Sequence, residues 1–233
     1  MLPITGLTAL TLLGMAAVGP ARTKISPADR APAALPVATA SQRVATFAGG
    51  CFWSMQKAFD GVAGVASVTA GYSGGSQADP NYEQVETGKT GYAESVQVIY
   101  DPARISYHGL LDIYWHHIDP LTPNQAFCDR GPQYRSIIFY RDAEQRQLAE
   151  TSKQDLDKSH RFATPIVTAI QPATRFYPAE EYHQQFYKKN PERYQAYVIG
   201  CGRNERIKEL WGDEQSRVSS RESRVQNDSG ARR

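Results

Sequence analysis

At 233 residues the chain is long enough for one sizeable domain with tails. Its 26 Lys+Arg against 24 Asp+Glu leave a formal charge of only +2, which gives no electrostatic case for nucleic acid. Three widely spaced cysteines, Cys51, Cys128 and Cys201, make neither a disulfide framework nor a zinc signature, and an odd set suits redox or nucleophilic chemistry better.

Residues 7–18, LTALTLLGMAAV, form an apolar run too short for a comfortable membrane span. Gly19 and Ala21 follow and fit a cleavage site before Arg22, so residues 1–21 read as a signal peptide. That reading places the protein in the periplasm or outside the cell. Because residues 1–6 lack Lys and Arg, a cytoplasmic location is the alternative. Residues 22–41 are rich in Pro and Ala, lack periodicity and read as a linker. Periodic signals occupy 42–212, and 213–233 is a polar, unpatterned stretch expected to be disordered.

Within 42–212 the first strand covers 44–48 and ends at Gly49-Gly50. A helix over 52–59 stops at Gly61, and a strand over 65–72 runs into Gly74-Gly75. Residues 94–100 alternate, with Val96, Val98 and Tyr100 on one face. Ser106 caps a helix through Ile118, and Asp142 caps a long polar helix to about residue 160. Strands are expected at 136–140 and 166–170, and a short helix at 180–188. The interleaving predicts an α+β two-layer sandwich of ferredoxin-like type: a mixed central sheet flanked by helices, with a long coil C-terminal region.

Cys51 falls at a strand-to-helix junction. The free N–H groups and the dipole there favour a thiolate and a lowered pKa. A buried structural cysteine is the competing reading. Glu94 opens an apolar strand, where desolvation raises a carboxyl's pKa and suits it to general acid work; an ordinary surface Glu is the commoner case. Asp129 and Tyr134 sit in a Gly/Pro turn, where local turn chemistry is the plain alternative. Tyr72 and Tyr82 line something or pack. Cys201, between two glycines, has the accessibility that a resolving thiol needs. Cys128, next to Asp129, is the alternative resolver.

GGCFW, GYSGG, YEQVETGKTGYAESVQVIYDP, ISYHGLLDIYW, IDPLTPNQAFCDRGPQYRSIIF and FYPAEEYHQQFYKKNP, in this order, resemble the A-type peptide methionine sulfoxide reductases. The resemblance spans about residues 46–191, and CGRNERIKELWGDE resembles the C-terminal end of a subset of them. It implies that 42–212 is a catalytic domain with Cys51 as nucleophile and Glu94 as the acid that protonates the sulfoxide oxygen. Phe52 and Trp53 would form the pocket for the S-methyl group, and Tyr82 and Tyr134 would hold the oxygen. Asp129 matches a site aspartate, and Cys201 falls where a recycling thiol sits. The implied substrate is the S epimer of methionine sulfoxide, free or in proteins. The implied partner is a thioredoxin-like reductant, with no metal, cofactor, nucleic acid or stable membrane association and a monomeric state. Three positions depart from the pattern: Ser54 for Gly, Gln56 for Glu and Tyr92 for His.

The chemistry agrees with the resemblance. A sulfoxide sulfur is a poor electrophile until its oxygen is hydrogen-bonded or protonated, so a thiolate needs an acid and phenols converging on one oxygen. Two other readings compete. A thiol peroxidase or redox sensor needs only Cys51 and a resolver, and leaves Glu94 and the tyrosines without a task. A peptide-binding module would not need the thiol.

Overall fold

The computed structural model describes residue 26 and residues 28–212; the expected signal peptide and polar tail lie outside the described residues. In chain order the elements are β1 (Arg43–Gly49), α1 (Phe52–Phe59), β2 (Val65–Ser73), α2 (Tyr82–Val85) and β3 (Ala93–Tyr100). Then come α3 (Tyr107–His116), β4 (Gln125–Ala126), β5 (Asp129–Arg130), β6 (Ser136–Tyr140) and α4 (Ala143–Lys158). The described residues close with β7 (Ala169–Pro172), β8 (Tyr177–Pro178), α5 (Phe186–Lys189), α6 (Pro191–Gly200) and α7 (Arg203–Trp211).

Six strands form one sheet in the order β7-β6-β1-β3-β2-β8, antiparallel throughout except for the parallel β6–β7 pair. This is the mixed central sheet expected. The period-2 pattern sets its faces. Ala45, Phe47, Val96, Val98 and Tyr100 join the main core, where they meet Phe52, Met55 and Phe59 of α1 and Leu110 and Leu111 of α3. The alternate residues Ala48, Ala93, Ile137 and Phe139 form a small cluster of their own. Glu94 shares the parity of Val96, so β3 aims it at the face that α1 covers.

The caps act as read. Ser106 accepts from Gly109 N–H, and Asp142 accepts from Gln145 N–H. Asn81 and Gln84 add a reciprocal capping box to the single turn of α2.

Four expectations change. The 166–170 strand is shifted: Val167 N–H bonds Pro120 O, and pairing with β6 begins only at Ala169 opposite Ile137. The 180–188 helix is split. A tight turn covers Glu181–His183, Gln185 takes a left-handed φ of 50°, and α5 follows. The break has a cause: Gln184 spends its amide on Ala70 and Ala179 backbone, and Gln185 N–H donates to Gln56 Oε1. Coil does dominate from 159 to 190 between short elements, but α6 and α7 then close the domain, with Trp211 1 % exposed. Last, the linker is not free of the fold along its whole length. Ala33 N–H bonds Ala179 O, Glu181 N–H bonds Ala31 O, and Pro32 bridges antiparallel to Glu180 beside β8.

Candidate active site

The site is built where β1 hands over to α1. Gly50 makes the turn at φ 91°, a left-handed value that an L side chain resists. A Cβ there would also lie 2.4 Å from Ala126 Cβ of β4, so the β4–β5 hairpin can close onto the junction only because residue 50 is glycine. Cys51 then occupies the N-cap of α1, buried at 6 % exposure, and is the free cysteine of the described residues.

Glu94, on β3, reaches the same point. Its Oε2 accepts the Phe52 N–H at 3.0 Å, which ties the carboxyl to the first turn of α1. The carboxyl is 2 % exposed, and burial, outweighing that hydrogen bond, pushes its pKa up to about 8. At neutral pH it therefore holds a proton, as its position at the mouth of an apolar strand suggested.

The thiol behaves differently from expectation. Burial, reinforced by the charges of Glu94 and Asp129, pushes the Cys51 pKa well up. Hydrogen bonds from the Tyr197 hydroxyl and the Trp53 N–H oppose this without overcoming it. The helix N-terminus alone does not make a resting thiolate here, because desolvation is the larger effect.

Phe52 and Trp53 extend from Cys51 into an aromatic wall. Phe52 lies 6.5 Å from the Tyr82 ring and 4.9 Å from His183, and Trp53 stacks on Phe186 at 3.7 Å. The Trp53 indole N–H donates to His183 Nδ1 at 3.1 Å. Burial drives the His183 pKa down to about 3, so the ring is neutral and remains an acceptor on that side. Tyr82 and Tyr134 both feel the charges of Glu94 and Cys51, and burial raises both phenols. Neither hydroxyl has a hydrogen-bond partner among the described residues, so both remain free donors. Asp129, at the start of β5, accepts the Tyr197 hydroxyl at 2.5 Å, and burial raises its pKa.

All nine residues singled out from the sequence thus lie in one region, but the cysteines pair in an unexpected way. Cys201 is bonded to Cys128, not to Cys51. Nor does it sit on a loose tail. It follows α6 directly, its N–H bonded to Tyr197 O one turn back. That same Tyr197 reaches Cys51 and Asp129, so the last turn of α6 links the free thiol to the disulfide.

Sequence reasoning missed Tyr197, His183, Glu180 and Arg203. Glu180 accepts the Tyr72 hydroxyl and the Tyr82 N–H at 2.8 Å each, so it fixes the start of α2 and with it Tyr82. Glu180 and His183 lie within the FYPAEEYHQQF block, which is the one signal that pointed toward them. The three departures from pattern also find places. Ser54 accepts the Tyr194 hydroxyl at 3.2 Å and so binds α1 to α6. The Gln56 amide donates to Val68 O at 2.8 Å and to Gln184 Oε1 at 3.2 Å. Tyr92 bonds Gln77 O and packs edge-on against Tyr177 at 5.9 Å, away from the thiol.

Comparisons with known proteins agree with this geometry. Residues 43–215 match the family model described as peptide methionine sulfoxide reductase. A relative from Halalkalibacterium halodurans, peptide methionine sulfoxide reductase MsrA, is 53 % identical over 168 residues, 72 % of this chain and 96 % of its own. One of the same name from Bacillus licheniformis is 49 % identical over 171 residues, covering 73 % and 94 %. Among solved structures, reduced Mxr1 from Saccharomyces cerevisiae aligns with TM-score 0.60 at 33 % identity, covering 66 % of this chain and 88 % of that one. Methionine sulfoxide reductase A of Corynebacterium diphtheriae aligns with TM-score 0.59 at 29 % identity, covering 66 % and 77 %. With three quarters of its length matched and a thiol, a protonated acid and two free phenols gathered around one helix start, the chain belongs to the A-type peptide methionine sulfoxide reductases, oxidoreductases that return methionine sulfoxide to methionine.

Proposed function

We propose that Cys51 attacks the sulfur of methionine-S-sulfoxide while Glu94, Tyr82 and Tyr134 hold its oxygen. The observation that carries this reading is the protonated, buried Glu94 beside the free Cys51. The resting pair is a thiol and a carboxylic acid. On attack, Glu94 gives its proton to the sulfoxide oxygen, and the proton leaving Cys51 restores Glu94. The bond first formed between Cys51 Sγ and the substrate sulfur then breaks together with the substrate's sulfur–oxygen bond as the oxygen passes to Cys51 Sγ, so methionine departs and Cys51 is left as a sulfenic acid. The methyl group sits against Phe52 and Trp53, and Asp129 holds the Tyr197 hydroxyl beside the thiol.

Recycling then runs through both remaining cysteines. The Cys201 thiol condenses with the Cys51 sulfenic acid, which releases water and forms a Cys51–Cys201 disulfide. Cys128 attacks Cys201, frees Cys51 and leaves the Cys128–Cys201 disulfide that the structure contains. A thioredoxin-like dithiol reduces that bond. The apolar segment at 7–18 supports export of the protein, with reducing power delivered outside the cytoplasm. Among the described residues no helix is long and apolar enough to cross a membrane.

One turnover on a methionine sulfoxide peptide without reductant tests the scheme. It should yield one methionine, a Cys128–Cys201 disulfide and an alkylatable Cys51. A persistent Cys51 sulfenic acid, or methionine formation by Cys51→Ser, would overturn it. N-terminal sequencing of the protein recovered from its native cell tests export, with a start at or near Arg22 expected.

A further inference from the structure

The two sulfurs of the Cys128–Cys201 disulfide have unlike surroundings. Cys128 is exposed, whereas Cys201 is half-buried behind it. The Cys201 Sγ accepts the Cys128 backbone N–H at 3.3 Å. Cys201 also stands two residues before Arg203, the first residue of the nine-residue α7. Arg203 is an unusual group. It is 4 % exposed, makes no ion pair among the described residues, and leaves Nη1 without a hydrogen-bond partner. Nη2 donates to His117 O, and the guanidinium lies 4.2 Å over the ring of Phe127, the neighbour of Cys128. A buried cation without a counter-charge is costly, and here its field falls on Asp129, Tyr197 and Cys51. Asp129 Oδ1 lies 3.9 Å from the Cys128 sulfur, and its carboxylate and both cysteine sulfurs lie within 4.8 Å of one another, so Asp129 does not set the two sulfurs apart.

We propose that the disulfide is reduced in one direction: the reductant attacks Cys128, and Cys201 leaves as a thiolate stabilised by Arg203 and the Cys128 N–H. This rests on the recycling reading above, in which a dithiol protein reduces the Cys128–Cys201 bond. The incoming thiolate forms a bond to Cys128 Sγ, the Cys128–Cys201 bond breaks, and its electron pair goes to Cys201. The second thiol of the reductant then attacks the mixed disulfide at the reductant's own sulfur. That oxidises the reductant to its disulfide and releases Cys128, which takes a proton from water. A good leaving thiol is one whose anion is stabilised, and of the two sulfurs Cys201 is the one that accepts a backbone N–H, while Cys128 is the one open to an incoming thiol. Cys128 is thereby the docking sulfur for the reductant, and Arg203 is a positioning residue for the leaving group.

The test uses the full chain, oxidised by one turnover, and a thioredoxin whose second active-site cysteine is replaced by serine. Mass mapping after alkylation should find the mixed disulfide on Cys128 and a free, alkylated Cys201. A mixed disulfide on Cys201, or on both sulfurs equally, overturns the direction and leaves the recycling reading standing. No mixed disulfide, together with no reduction by intact thioredoxin, overturns the recycling reading and this inference with it. The role of Arg203 is read separately on Cys51→Ser/Cys128→Ser protein, where Cys201 is the remaining thiol. Ultraviolet titration of its thiolate should show a higher pKa in Arg203→Met and recovery in Arg203→Lys. Attack by the thioredoxin on oxidised Arg203→Met should slow roughly tenfold. An unchanged Cys201 titration in Arg203→Met overturns the role given to the guanidinium.

Discussion

A carboxyl that holds a proton at neutral pH leaves a thermodynamic trace that needs no substrate. In the unfolded chain Glu94 loses its proton near the ordinary value of 4.5, whereas in the fold it does so at about 8. Over that window the folded state binds a proton that the unfolded state has released, so stability falls as pH rises. At 1.36 kcal/mol for each pH unit the ceiling is about 5 kcal/mol across the window, of which about 3 kcal/mol lies between pH 5 and pH 7.5. Glu94→Gln removes the titration while keeping an oxygen to accept the Phe52 N–H. Urea unfolding followed by Trp fluorescence would be run on oxidised Cys51→Ser protein, so that no free thiol reshuffles the disulfide. The Glu94→Gln protein should lose about 3 kcal/mol less than its parent between those two pH values and should be the more stable of the two at the higher one. Parallel pH dependences in the two proteins would mean that Glu94 is ionised in the fold, and the acid role would lose its physical basis. The same substitution in the otherwise native chain should slow methionine formation in a single turnover by about a hundredfold, because only the acid can transfer a proton.

Other perturbations follow from the contacts. The rate of the first step should decline as pH rises through about 8, the value at which Glu94 loses its proton, as stopped-flow measurement of sulfenic acid formation would show. His183→Leu leaves the Trp53 indole N–H without its acceptor. KM for a sulfoxide peptide should rise several-fold with a smaller change in kcat, while His183→Asn, which restores an acceptor, should recover much of the loss. Gln56→Glu removes the donor to Val68 O and Gln184 Oε1 from a side chain 1 % exposed, so thermal unfolding should show a loss of about 1–3 kcal/mol. Gly50→Ala meets both a left-handed φ and Ala126 Cβ, and it should slow formation of the Cys128–Cys201 bond after turnover as the β4–β5 hairpin is pushed away.

The parts of the fold that were readable from the sequence are those set by local rules. Period-2 burial in β3, the serine and aspartate caps of α3 and α4, and the glycine stops around α1 depend on neighbours in the chain. The shifted β7 and the broken 180–188 helix depend on distant partners. Gln184 abandons helical geometry because the Ala70 backbone on β2 offers better hydrogen bonds, and no local pattern announces that. The site divides the same way. Cys51, Glu94, Asp129 and the two tyrosines sit in recognisable blocks. Tyr197 and Arg203 act only because α6 and α7 fold back over the thiol, and their stretch read as a loose end. The thiol's pKa departs from what the helix terminus predicts for a related reason. The helix terminus is visible in the sequence, but the burial that outweighs it comes from residues far along the chain.

The N-terminal arm gives the molecule a sheltered rim. β8 is an edge of the sheet, and beyond it residues 29–33 pair with the backbone of residues 179–182, so the arm supplies hydrogen bonds that another chain would otherwise offer. A chain begun at residue 43, where the family match starts, would bare that rim to self-association. It would also loosen Glu180, whose carboxylate anchors Tyr72 and the first turn carrying Tyr82. The same few residues of the arm thus both cover the sheet edge and brace the backbone beside Glu180, which holds Tyr72 and the start of α2.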